Sequence, residues 1–155
     1  MEDQKWMRRA LTNAMNSYKR DEVPVGAVLV RDCAIIGEGG NSSIGLHDPT
    51  AHAEIIAIRN GASAVNNYRL PRTTLYVTLE PCIMCMGAIL HARIERLVYG
   101  TSDPKTGAAS SIYSIGSDDL LNHSLKITAN VLQEDCASLL KLFFKEKRNI
   151  RKNSI

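Results

Sequence analysis

The chain has 155 residues, 45% of them hydrophobic and 23% charged, with a formal charge of +3. That balance suits one globular domain with its own core and excludes disordered and collagen-like classes. No apolar run is long enough to span a bilayer, and a start bearing Glu2 and Asp3 lacks a signal peptide's pattern, so the expectation is a cytoplasmic protein with no membrane association.

In chain order, Met7, Ala10, Leu11, Ala14 and Tyr18 recur at helical spacing and predict a first helix. Pro24 to Val30 is apolar and Val-rich, a strand; Ala34 to Glu38 is a second, and the short Arg31-Asp32-Cys33 join makes the two a hairpin. Gly37, Gly39, Gly40, Asn41 and Gly45 mark a loop. Asp48-Pro49-Thr50 reads as a helix start, with Asp48 or Thr50 as cap and Ala51 to about Asn60 as the helix. Thr73 to Leu79 alternates as a strand, and Pro81 opens a helix to about Ala92. Arg96 to Gly100 and Leu125 to Thr128 are strands, and about Val131 to Lys147 is the last helix. Strands alternating with helices after an opening hairpin imply the α/β class, a three-layer α/β/α sandwich on a mixed sheet of about five strands. The whole chain, 1–155, is expected to be one domain.

Charge is unevenly spread. Lys141, Lys145, Lys147, Arg148, Arg151 and Lys152 face only Glu146 over the same stretch, so the body of the chain is slightly acidic. Such a basic arm is either a solvated helix end or a phosphate-binding surface.

Two short strings carry the chemistry: His52-Ala53-Glu54 and Pro81-Cys82-Ile83-Met84-Cys85. One nitrogen and two sulfurs make three zinc ligands and leave a fourth position for water, the pattern of a catalytic zinc. Cys82 and Cys85, three apart, share a helix face. His52 and Glu54, two apart, would diverge on a continuous helix, so both serve one site only if the metal lies beyond the helix end. Two helix N-termini aimed at the metal would favour thiolates and a carboxylate. A closed structural site would need a fourth ligand, for which His47, His91 and His123 are spare; a redox pair would not need His52. Cys136 falls in an apolar helical stripe with Leu132, Leu139, Leu140 and Phe143 and reads as core. Glu80 is expected to serve the strand-to-helix turn.

H-x-E followed by P-C-x-x-C is the signature of zinc-dependent nucleobase deaminases. The chain also has Val23-Pro24-Val25-Gly26-Ala27-Val28-Leu29-Val30, Asp48-Pro49-Thr50 ahead of Ala51 and His52, Leu75-Tyr76-Val77-Thr78-Leu79-Glu80 ahead of Pro81, and Asp103-Pro104-Lys105-Thr106-Gly107-Ala108-Ala109. From Trp6 to about Phe144 it resembles the bacterial tRNA-specific adenosine deaminases of the cytidine deaminase superfamily. The metal strings are shared with guanine and cytosine deaminases; Lys105 to Ala109 and the basic C-terminus discriminate. Ser110 departs from the family, which more often has glycine there.

The resemblance implies a cytidine deaminase-like fold and one Zn2+ per chain on His52, Cys82 and Cys85, with water or hydroxide as fourth ligand. It implies Glu54 as the proton shuttle and Asn41 as a contact to the flipped nucleotide. Ala53 and Cys82 would line the pocket, with Val25 as an apolar wall. Asp103 and Lys105 would hold flanking RNA, and Phe144 and Arg148 the loop backbone or a base. The implied reaction is deamination of adenosine to inosine at the wobble position of a tRNA anticodon stem-loop, by a homodimer whose contact lies near Met84 and Met86. Its rivals are a free-base guanine or cytosine deaminase and a zinc-stabilised RNA-binding module.

Overall fold

The structure, a computed structural model, describes residues 2–118 and 120–154. Met1 and Ile155, the ends of the expected domain, lie outside the described residues. The elements run α1 (Glu2–Lys19), β1 (Gly26–Arg31), β2 (Ala34–Gly40), α2 (Ala53–Val65), β3 (Thr74–Leu79), α3 (Ile83–His91), β4 (Arg96–Thr101), β5 (Lys126–Thr128) and α4 (Gln133–Asn153). The five-stranded sheet has the order β2-β1-β3-β4-β5. β1 runs antiparallel to both β2 and β3, while β3, β4 and β5 are parallel, so the sheet is mixed as the sequence predicts.

Period-two alternation decides which side chain meets which layer. Val28, Val30, Tyr76 and Val98 pack with Trp6, Met7 and Ala10 of α1 and Cys136 of α4. Leu29, Leu75, Val77, Leu97 and Tyr99 pack on the other face with Ala53 and Ala57 of α2 and Met86 and Ile89 of α3. Burial of each large apolar side chain contributes about 1.5–3 kcal/mol, and the central strands are covered on both faces. α2 and α3 thereby lie side by side, with their N-termini at one edge.

Several boundaries differ from the sequence reading; α2, for one, runs on to Val65 rather than ending near Asn60. Gly37, Gly39 and Gly40 belong to β2 rather than to a loop. They are there because helices press on the strand: a Cβ at Gly37 would fall on the Ala57 carbonyl, and one at Gly40 on the Ser17 hydroxyl. α2 begins at Ala53 with His52 as N-cap. Asp48 does not cap it; its carboxylate turns back on the Thr50 N–H and hydroxyl (2.9 and 2.7 Å). Finally, α4 continues to Asn153, since nothing from Arg148 onward is a helix breaker.

The later turns of α4 are held to the end of α1. Tyr18 donates to Glu146, Lys147 pairs with Asp21, and Phe143 meets the Tyr18 ring edge-on at 6.0 Å.

Candidate metal centre and active site

His52 is the N-cap residue of α2 and Cys82 that of α3; both have extended backbones and neither spends its side chain on capping. The cap position turns a side chain off the helix axis, which frees these two for one shared point in front of both helices. Cys85, one turn into α3, is fully buried and completes the set. The His52 Nδ1 atom lies 3.6 Å from the Cys82 sulfur and 3.6 Å from the Cys85 sulfur. All three donor atoms lie within 4.8 Å of one another. Tetrahedral zinc, with Zn–N and Zn–S bonds of about 2.05 and 2.3 Å, places nitrogen and sulfur about 3.6 Å apart. The residues fit zinc, with Nδ1 as the histidine ligand.

The protonation chemistry agrees. Hydrogen bonding from Cys85, and then from His52, draws the Cys82 thiol down to about 4. Cys85 moves the other way, because it donates to that thiolate and is buried. A divalent cation held here would displace the thiol protons. The hydrogen bond to Cys82 raises His52.

Glu54, in the first turn of α2, is 4% exposed. Burial raises its pKa, and it stands within hydrogen-bond reach of Cys85. His52 leaves the helix while Glu54 remains on it, so their i, i+2 spacing converges on one site as the sequence geometry requires.

Asn41 directly follows β2 and accepts the Ala53 N–H on Oδ1 at 2.8 Å. It therefore satisfies the start of α2 beside His52, and keeps its Nδ2 hydrogens for another acceptor. Val25 and Ala53 are buried and belong to the same hydrophobic core. Asp103 accepts the N–H groups of Lys105 and Thr106 (3.0 and 3.1 Å) and the Thr106 hydroxyl, shaping a turn that leaves the Lys105 side chain exposed. This loop abuts the ligand turn, since the Ala108 N–H donates to the Pro81 carbonyl at 2.9 Å. Phe144 is 45% exposed and Arg148 is exposed, both on the part of α4 tied to α1. The Ser17 hydroxyl of α1 in turn donates to the Asn41 carbonyl at 3.0 Å.

Met86 is fully buried in the core and offers nothing to a partner, whereas Ile83 on the same helix is 57% exposed. His47 and His91 are exposed, and His123 bonds the Ile94 carbonyl; among the described residues none joins the ligand set. Glu80 does more than serve the strand-to-helix turn: it accepts hydrogen bonds from the 103–111 loop. A third buried glutamate, Glu22, accepts the N–H groups of Ile44 and Gly45 (3.2 and 2.8 Å) and holds the loop after Asn41. Sequence reasoning missed Glu22; its one signal was an acidic residue against the apolar Val23-Pro24-Val25 run.

Residues 1–101 match the family described as the cytidine and deoxycytidylate deaminase zinc-binding region. A tRNA-specific adenosine deaminase of Haemophilus influenzae is 56% identical over 97% of this chain and 87% of its own length. One from Buchnera aphidicola is 52% identical over 96% and 91%. A solved structure from a study of A-to-I editing by tRNA:A34 deaminases at the wobble position is 45% identical, covers 88% of this chain and 99% of its own, and superposes with a TM-score of 0.85. A guanine deaminase from Nitrosomonas europaea shares the fold at a TM-score of 0.74 with 19% identity, over 90% and 83% of the two chains. The chain belongs to the cytidine and deoxycytidylate deaminase zinc-binding family, and within it to the tRNA-specific adenosine deaminases.

Proposed function

We propose that this protein converts adenosine to inosine, with release of ammonia, at the wobble position of a tRNA anticodon loop. One observation carries the reaction class: three metal donors at tetrahedral spacing, with a buried glutamate in the first turn beside them. Identity of 56% to a tRNA-specific adenosine deaminase over nearly the whole chain supports the substrate.

His52, Cys82 and Cys85 would hold the zinc, which when bound supplies a Lewis acid able to lower the pKa of water towards about 7. Glu54 carries the protons. Its raised pKa suits a carboxyl that moves one proton from the attacking water to adenine N1 and a second, from the hydroxyl added at C6, to the leaving amine. Asn41 donates from Nδ2 to the base while its Oδ1 stays on Ala53. Val25 and Ala53 back the pocket. The reacting base must leave its stack, which costs less in a single-stranded loop than in a duplex. Asp103, Lys105, Phe144 and Arg148 take flanking RNA in this reading, and the basic side chains add an attraction that weakens with salt.

The tRNA chemistry supports a cytoplasmic setting, and no helix among the described residues is long and apolar enough to cross a membrane. The continuous sheet, with helices on both faces, supports one domain over 1–155. Ile83 and Leu121, 57% and 54% exposed around α3, support a homodimer through that face.

The test is to incubate zinc-loaded protein with a wobble-adenosine anticodon stem-loop and, separately, with free guanine, cytosine and adenine. Ammonia from the stem-loop alone is expected. Ammonia from a free base supports the rival deaminase, and none from any substrate supports a binding module.

A further inference from the structure

Glu80 directly follows β3 and immediately precedes the Pro81–Cys82 turn; it is 2% exposed. A buried carboxylate is costly unless its oxygens are fully hydrogen-bonded. Here one oxygen accepts the Asp103 N–H at 3.1 Å and the Ser111 hydroxyl. The other accepts the N–H groups of Ala109, Ser110 and Ser111 at 3.1, 2.9 and 3.0 Å. These hydrogen bonds hold its pKa below the usual carboxylate range, against the opposing effect of burial.

Both ends of the 103–111 loop thus converge on a single carboxylate. Two main-chain bonds tie the same regions together: Ala108 N–H to the Pro81 carbonyl (2.9 Å) and Glu80 N–H to the Thr101 carbonyl (2.8 Å). Gly107 lies against the carboxylate, where a Cβ would overlap Glu80 Cδ and the Asp103 carbonyl. Ser110 adds a bond from the sheet side, its hydroxyl 2.6 Å from the Tyr99 hydroxyl.

We propose that Glu80 is a positioning residue, which locks the RNA-binding loop Asp103–Ser111 onto the turn that carries zinc ligand Cys82. Five donors from one loop on one carboxylate exceed what capping a strand end requires. Their effect is to fix the Asp103–Lys105 turn at a set distance from Cys82. A loop ordered before binding spares the RNA that ordering cost. Loss of the latch therefore appears in KM for RNA rather than in kcat or in the zinc. The proposal rests on the RNA reading of this loop.

Glu80→Gln keeps size but sets an NH2 donor against backbone donors, which leaves at least one of them unpaired. Gly107→Ala disturbs the same contact without altering the carboxylate and stands in should the first variant fail to fold. The substrate is the wobble-adenosine stem-loop, and the enzyme is zinc-loaded. Expected in each folded variant are wild-type zinc content, kcat within threefold of wild type and KM raised at least fivefold. In Glu80→Gln, amide exchange at Asp103, Ala109, Ser110 and Ser111 should also quicken at least fivefold. A KM increase below fivefold, or loss of zinc and kcat at unchanged KM, overturns the latch while leaving the deaminase reading intact. If the wild-type protein makes no inosine from the stem-loop, the deaminase reading fails and this proposal falls with it.

Discussion

Replacing Glu54 with glutamine removes the proposed proton carrier and little else. The side chain is 4% exposed, so bulk water does not readily take the carboxylate's place. Glutamine fills the same volume in the first turn of α2, which keeps the packing beside Ala53 and Ala57. It is not one of the three metal donors, so zinc content should stay at one per chain. A positioned general acid or base contributes about 10²–10⁴ in rate. One carboxyl here serves two transfers, to adenine N1 and to the leaving amine, which places the loss near the upper bound. A 10⁴-fold fall in kcat corresponds to about 5.4 kcal/mol at about 1.36 kcal/mol per decade. The assay is single-turnover inosine formation on a stem-loop, with RNA affinity measured in parallel and metal by atomic absorption. A variant with full zinc, wild-type affinity and a rate within tenfold of wild type would refute the proton-shuttle role.

Cys85→Ala deletes one of three donors within a preformed cluster, so zinc per chain should drop below about a tenth after dialysis; metal retained one-to-one would exclude Cys85 as a ligand. Asn41→Ala leaves the Ala53 N–H without its acceptor and should cost about 1 kcal/mol. That loss lowers Tm by about 2–4 °C, and an unchanged Tm would count against the capping role. The bidentate Arg96–Asp3 pair, 2.7 and 2.9 Å, ties α1 to β4 and lowers the Asp3 pKa below 3.8. Its contribution is therefore fully present above that unfolded value and is lost as pH falls through the lower folded one. Partial exposure limits it to under about 1 kcal/mol. Arg96→Ala should flatten that part of the acid stability curve, measured by urea titration; an identical curve would contradict the coupling.

The sequence carried the elements whose signals are local. The Met7, Ala10 and Ala14 stripe marks the buried face of α1, and the Val and Leu alternation marks the strands. The candidate metal cluster was legible for the same reason: its three donors lie in two short strings. What was missed depends on distant partners. Asp48 resembles a cap, but the acceptor for the start of α2 is Asn41, 12 residues upstream. The β2 glycines look like loop residues because the helices that require them come from elsewhere in the chain. Glu80 reads as a turn residue because its partners lie 23 to 31 residues on. For Phe144 and Arg148, resemblance alone suggests a role, since an exposed aromatic and an exposed arginine carry no signal of what they touch.

The most direct test is to locate the product. A tRNA anticodon stem-loop with adenosine at the wobble position and at other loop positions is incubated with zinc-loaded protein, digested and read by mass spectrometry. Inosine at the wobble position alone, with one ammonia released per inosine, is the predicted result. Inosine spread over the other loop adenosines, or no inosine while a free base is deaminated, would contradict it.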